Sequence, residues 1–225
     1  MRHRERMTTA STPQTVATVA PVGVRRARPT WVVAGLLFLA AGLLMAWVRL
    51  IGPGGLIVRP ERDFLVVDVI ASAVLLVGCL VAAWGTSPAD SIVARRTGGV
   101  VALVGLGSVL LGHAIWWMGP GGYGAGPGAG MTGVMVLGLA GTLAVSAAVS
   151  IALARVLPGK WRWMTVVSLG IVVALSLVST LLFAVSADVG LAVAPLLALA
   201  LPAAVIVNAV ALIALGLTRS DPRSG

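Results

Sequence analysis

Two side chains stand out in this sequence as able to do chemistry, Asp68 and His113. Each lies within a long apolar run. Asp68 is four residues inside Phe64–Trp84, and His113 is four residues before the end of Gly98–Trp117. A carboxylate near an imidazole can hold or pass a proton, because histidine ordinarily titrates near neutral pH. Arg49, close to the end of the apolar run Trp31–Ile51, supplies a cation for the same layer. Arg49, Asp68 and His113 therefore form one candidate polar cluster. It reads either as a proton- or cation-responsive site or as an ion pair that fixes helix register, with Asp68 paired to Arg49 or His113. Charge at the centre of a bilayer span costs about 2.5–3.5 kcal/mol on insertion scales, and less near its ends. Four residues of helix correspond to roughly 6 Å of depth, so the cluster is affordable where it lies.

A second group sits in the last apolar run. Pro195 and Pro202 are seven residues apart and so share nearly one helical face, where each removes a backbone donor and can kink the helix. Asn208 follows, and an amide in an apolar run reads most simply as an interhelical hydrogen-bonding residue. These three residues are candidates for helix packing or gating.

The residues argue against an enzyme. Ser108 and His113 are five apart on one helix and point in different directions, and the only other histidine, His3, lies in the N-terminal tail. Catalytic metal sites bring together three or more protein ligands. Asp68 and His113 with Glu61 or Asp63 have no known ligand spacing. The single cysteine, Cys79, excludes an intrachain disulfide and a multi-cysteine metal site. The glycine-rich stretch Met118–Gly130, with Tyr123 at its centre, lacks the GxxxxGK[ST] pattern of a phosphate loop and reads as an uncharged hairpin. No cofactor and no metal are expected.

The elements that must position these residues are read from hydropathy. In 225 residues the mean hydropathy is +1.04, 59% of residues are hydrophobic and 10% are charged. Soluble domains carry about 25% charge. The expected fold is an all-α integral membrane bundle of six transmembrane helices. The spans are 31–51, 64–84, 98–117, 131–154, 163–186 and 191–217, each of about the 20 residues a bilayer requires. A basic tail over 1–30 reads as disordered, with Met1 or Met7 as its start, and 218–225 forms a second polar tail. The first run is too long for a signal-peptide core and reads as a retained anchor.

Charge sets the orientation. With the N-terminus in the cytoplasm, 13 of the 16 basic residues fall inside and only Arg49, Arg59 and Arg62 fall outside. Both termini are therefore expected in the cytoplasm. The net charge of +9 does not point to nucleic acid, because the basic residues flank apolar runs and form no stripe with interleaved aromatics. Lys160 is the only lysine, and Ala, Val, Leu and Gly are abundant. This suggests a high-GC bacterial genome, with the plasma membrane as the location.

Small and hydroxylated residues recur at helical spacing. They are Asp68, Ser72, Cys79, Ala82 and Thr86 in the second run, Gly98, Ala102, Gly105, Ser108 and Gly112 in the third, Gly138, Thr142, Ser146 and Ser150 in the fourth, and Thr165, Ser168, Ser176, Ser179 and Ser186 in the fifth. In lipid, such faces let backbones approach closely, so these stripes are expected to face the interior. With little intramembrane charge, the first functional expectation is a structural or accessory subunit packing against partner membrane helices or against copies of itself. The alternative is a small proton-coupled transporter or channel using Asp68 and His113 at an outward-facing cavity.

Overall fold

The computed structural model describes residues 29–51, 62–86, 91–119, 128–157, 159–185 and 199–217. Among these residues the chain forms helices and no strand: α1 (Pro29–Ile51), α2 (Arg62–Trp84), α3 (Thr97–Met118), α4 (Gly128–Ala154), α5 (Gly159–Val185) and α6 (Ala200–Leu217). Four of them are long and apolar enough to cross a bilayer, over Pro29–Ile51, Phe64–Trp84, Thr97–Met118 and Ala200–Leu217. Gly138–Ala154 is a shorter apolar stretch. The first 28 residues, Glu61, Tyr123, Asp188, Pro195 and the tail 218–225 lie outside the described residues.

Each helix packs on its neighbours in sequence, and α6 closes against α1, so the helices form a ring. Neighbours run antiparallel. On α1, Gly35 lies against Ala209 and Ile213, while Gly42, two turns on, lies against Pro202 and Ile206. Thr30 and Thr86 meet at one end of the α1–α2 pair, with hydroxyls 3.2 Å apart, and Trp47 and Phe64 meet at the other with rings 5.4 Å apart. Gly99 faces Ser150 and Gly105 faces Leu143 across α3 and α4. The described starts of α1, α3 and α5 therefore share one end of the ring with the ends of α2, α4 and α6. Asp68, His113 and Pro202 lie toward the other end.

Close approach explains why these sequences pack. A Cβ on Gly42 would fall 2.7 Å from Ile206 Cγ1 and 3.3 Å from the Pro202 carbonyl oxygen, so only glycine lets α1 seat on α6. The buried set is rich in alanine, including Ala34, Ala41, Ala71, Ala82, Ala102 and Ala147. Small side chains of this kind are how helices meet in lipid, where burial of apolar surface gives no net drive. The outer surface carries large apolar side chains such as Leu36, Leu43, Val101, Leu153 and Leu177, far more than a water-facing surface tolerates.

The stripes depart from expectation on α3 and α4. On α2, Ser72, Cys79 and Ala82 do turn inward and are buried. On α4, Gly138, Thr142 and Ser146 face outward, and on α3 Gly98, Ser108 and Gly112 do the same. Nothing lies within 4 Å of a Cβ at Gly98, Gly112 or Gly138. The inward positions of α4 belong to Ala144, Ala147, Ala148 and Ile151. Alanine allows similar approach and leaves no hydroxyl to satisfy. The outward hydroxyls bond their own helix instead, Thr142 Oγ1 donating to the Gly138 carbonyl at 2.9 Å and Ser146 Oγ to the Thr142 carbonyl at 2.8 Å.

The link after α2 also differs from a plain polar connection. Gly85 takes a left-handed φ of 56°, and the chain turns back so that the Ile92 N–H donates to the Ala82 carbonyl at 3.0 Å. Ser91 is fully buried, donating to the Ala83 carbonyl and accepting from the Arg95 N–H. Ala94 and Arg95 follow at φ 51° and 52°. The Arg95 guanidinium then donates to the Trp84 and Gly85 carbonyls at 2.8 and 3.2 Å, filling acceptors that the end of α2 leaves open. The result tucks Ile92 and Val93, both buried, under the terminal end of the ring. Leu157, between α4 and α5, is buried in the same way.

Candidate functional site

The polar cluster expected from sequence is brought together in part. Arg49 near the end of α1 and Asp68 in α2 form an ion pair at 4.0 Å, with side chains 47% and 20% exposed. The antiparallel α1–α2 pair dictates this meeting, since Trp47 and Phe64 already meet beside it with their rings tilted by 36°. A pair this long and this open contributes little to stability, about 1 kcal/mol or less. Its significance lies in what it faces.

His113 is held by its own helix rather than by Asp68. One turn on, Trp117 Nε1 donates to His113 Nε2 at 2.9 Å. Trp116 stacks on the imidazole at a ring separation of 6.4 Å and an angle of 11°, and Trp117 meets it edge-on at 6.0 Å. A nitrogen that accepts a hydrogen bond carries no proton, so this geometry selects the neutral imidazole protonated at Nδ1. Nδ1 is buried and has no hydrogen-bond partner. Taking a second proton at Nε2 would break the Trp117 bond.

Arg49, Asp68, Ser72 and His113 line one cavity of about 220 Å³. Every helix contributes to its wall, through Met45 of α1, Leu106 and Leu110 of α3, Ala140 and Ala144 of α4, Leu169 and Val172 of α5, and Leu201 and Pro202 of α6. The charged and hydroxylated groups come from α1, α2 and α3, while α4, α5 and α6 supply an apolar wall. A second, smaller cavity of about 80 Å³ lies deeper in the ring, toward the plugged terminal end. Leu106, Leu110, Leu169 and Leu201 line both cavities and so form the boundary between them.

Of the second candidate group, Pro202 is buried near the start of described α6. Its carbonyl oxygen lies against Gly42 of α1. Asn208 does bond across helices, its Nδ2 donating to Ser168 Oγ of α5 and to the Ala204 carbonyl, both at 2.8 Å. Ser108 faces outward and does not share a site with His113.

Sequence reasoning missed the inner cavity and its plug. The available signals were the apolar pairs Ile92–Val93 and Val156–Leu157 within otherwise polar links. Among the described residues no group of three His, Cys, Asp or Glu side chains converges as metal ligands would. No known protein family model matches the chain, and neither a curated protein nor a solved structure is found to match it.

Proposed function

We propose that the chain is a six-span membrane protein with both termini in the cytoplasm, and that its outward-facing cavity serves proton-coupled transport or conduction of a small solute. The observation that carries this reading is the cavity of about 220 Å³ into which Arg49, Asp68, Ser72 and His113 all project. A helix bundle whose task is only to pack fills its interior with small apolar residues. Ionisable groups turned toward a shared cavity mark a pathway by default. In this reading His113 takes up the proton and Asp68, held by Arg49, compensates the charge. Proton uptake at Nε2 releases Trp117 and thereby couples charge to the packing of α3. The arginine-rich flanks support the orientation, and composition supports the plasma membrane of a high-GC bacterium.

Purified protein in liposomes loaded with a pH-sensitive dye tests this. The unaltered chain should dissipate an imposed proton gradient in a pH-dependent way, and Asp68→Asn and His113→Ala should each lower the rate at least about tenfold while remaining monodisperse. An Asp68→Asn protein with full activity across pH would sink the proposal.

A second reading is favoured by one separate observation. Gly138, Thr142 and Ser146 of α4, with Gly112 of α3, present a small-residue face outward with open space above the glycines. That face supports an accessory subunit docking a partner membrane helix or another copy of this chain. Gentle extraction with a C-terminal tag should then bring out a stoichiometric companion, and Gly138→Leu should release it. A companion that Gly138→Leu leaves in place argues against docking through α4.

A further inference from the structure

The outer cavity presents two opposite charges that do not satisfy one another. Arg49 Nη2 and Asp68 Oδ1 stand 4.0 Å apart, beyond hydrogen-bonding distance, so this contact is a through-space attraction. Both side chains are partly exposed, and both line the cavity of about 220 Å³. The other polar side chains on this wall add no charge. His113 is a neutral imidazole, with Nε2 occupied by Trp117 and Nδ1 buried. Ser72, one turn along α2 from Asp68, is a buried hydroxyl. The facing wall, from α4, α5 and α6, is aliphatic, with Ala140, Ala144, Leu169, Val172, Val173 and Leu201. The described lining therefore offers one cation, one anion, no net charge and an apolar side.

We infer that this cavity binds a small zwitterion with an aliphatic body, the chemistry of an aliphatic α-amino acid. Its carboxylate meets the Arg49 guanidinium, its ammonium meets the Asp68 carboxylate, and its body lies on the wall of α4, α5 and α6. An α-amino acid carries both charges on one carbon, so they lie as close together as the two wall charges do. A guanidinium presents a planar fork of N–H donors suited to a carboxylate, and a single contact at 4.0 Å does not consume it. Recruiting the pair costs little, because an ion pair this long and open adds little to stability. A lone anion drawn to Arg49 is repelled by Asp68, and a lone cation drawn to Asp68 is repelled by Arg49. Size limits the ligand further. An apolar cavity of about 150 Å³ accommodates benzene, so about 220 Å³ suits a molecule of roughly eight or nine non-hydrogen atoms, as in valine or leucine. This assignment rests on the reading of the outer cavity as a solute site and names the class of solute.

The test is titration calorimetry on the full chain in lipid nanodiscs at neutral pH, with empty nanodiscs as the blank. Three probes share one body: L-leucine, isocaproate, which lacks the ammonium, and isoamylamine, which lacks the carboxylate. L-leucine should bind saturably and at least about tenfold more tightly than either truncated probe, the effect of one hydrogen bond to a charged group. Arg49→Gln should weaken leucine about tenfold and leave isoamylamine unchanged or tighter, and Asp68→Asn should weaken leucine by as much and leave isocaproate unchanged or tighter. A merely structural ion pair would not give that crossed pattern. The comparison of probes on the unaltered chain stands even where a variant fails to fold. Equal affinity for the three probes, no saturable binding of leucine, or folded variants that bind leucine as the unaltered chain does would each overturn the inference. The proton-flux assay contains no amino acid and the calorimetry no gradient, so the two proposals fail separately. Leucine binding without proton flux removes coupled transport alone, and proton flux without the preference for leucine removes this assignment alone.

Discussion

Trp117 controls the chemistry available at His113. By donating to Nε2 it leaves the imidazole with its proton on Nδ1, facing no partner. The imidazole nitrogen resonances should therefore report an Nδ1-protonated tautomer at neutral pH. Trp117→Phe keeps the ring but removes the donor, and should convert the signal to a tautomer mixture. An unchanged spectrum would remove Trp117 from the account. The sequence makes such arrangements partly legible. An i to i+4 spacing puts Trp117 above His113 on any helix, and an asparagine within an apolar run must find a partner. It does not show which partner. Asn208 meets Ser168 from forty residues away, and only that pairing decides that an acceptor, not a donor, is left over. Likewise, charge and span order place Arg49, Asp68 and His113 in one layer. That Arg49 and not His113 takes Asp68 depends on side-chain reach, which spacing cannot give.

At the level of helices, the α1–α6 contact is the seam on which the ring closes, and it depends on glycines. Gly42→Val should force α1 from α6 and destabilise the protein by about 1–3 kcal/mol, the range of overpacking. Gly170→Ala, on α5 with nothing within 4 Å, should be neutral or slightly stabilising through helix propensity. Denaturant or thermal midpoints in matched detergent compare the two, and equal midpoints would remove Gly42 from the seam. The helices themselves were readable because apolar runs of this length have few alternatives. Their ends differ by a few residues. Structure begins at Gly128 and Gly159, ahead of the apolar runs at 131 and 163, because polar or glycine residues at a helix start cost little once the helix propagates. Facing was less legible. Four-residue spacing shows that Gly138, Thr142 and Ser146 share a side of α4, but the same spacing serves an interior face and an outer one. The hydroxyls tolerate the outer side by bonding back to their own helix.

The whole molecule is an antiparallel ring with chambers of contrasting character along its axis. One is lined by an ion pair and a histidine, and the deeper one is mainly apolar and closed at the terminal end by Ile92 and Leu157. Neither chamber can be seen in any single run of sequence, since each draws its walls from every helix. Closure of the ring has a further consequence. Because α6 lies against α1 and runs opposite to it, Pro29 and Leu217 emerge side by side. The chain can then be circularly permuted. A gene in which a short flexible linker joins the present ends, and new termini open between Gly119 and Gly128, would encode the order α4–α5–α6–α1–α2–α3 with the stopper links left whole. That permutant should insert, elute as a single species and melt within a few degrees of the parent. New termini placed at Ile92 would withdraw the stopper and should cost far more. The position at which translation starts can, for this fold, move to a link at the opposite end of the ring, and the links that fill the interior are the ones that must stay intact.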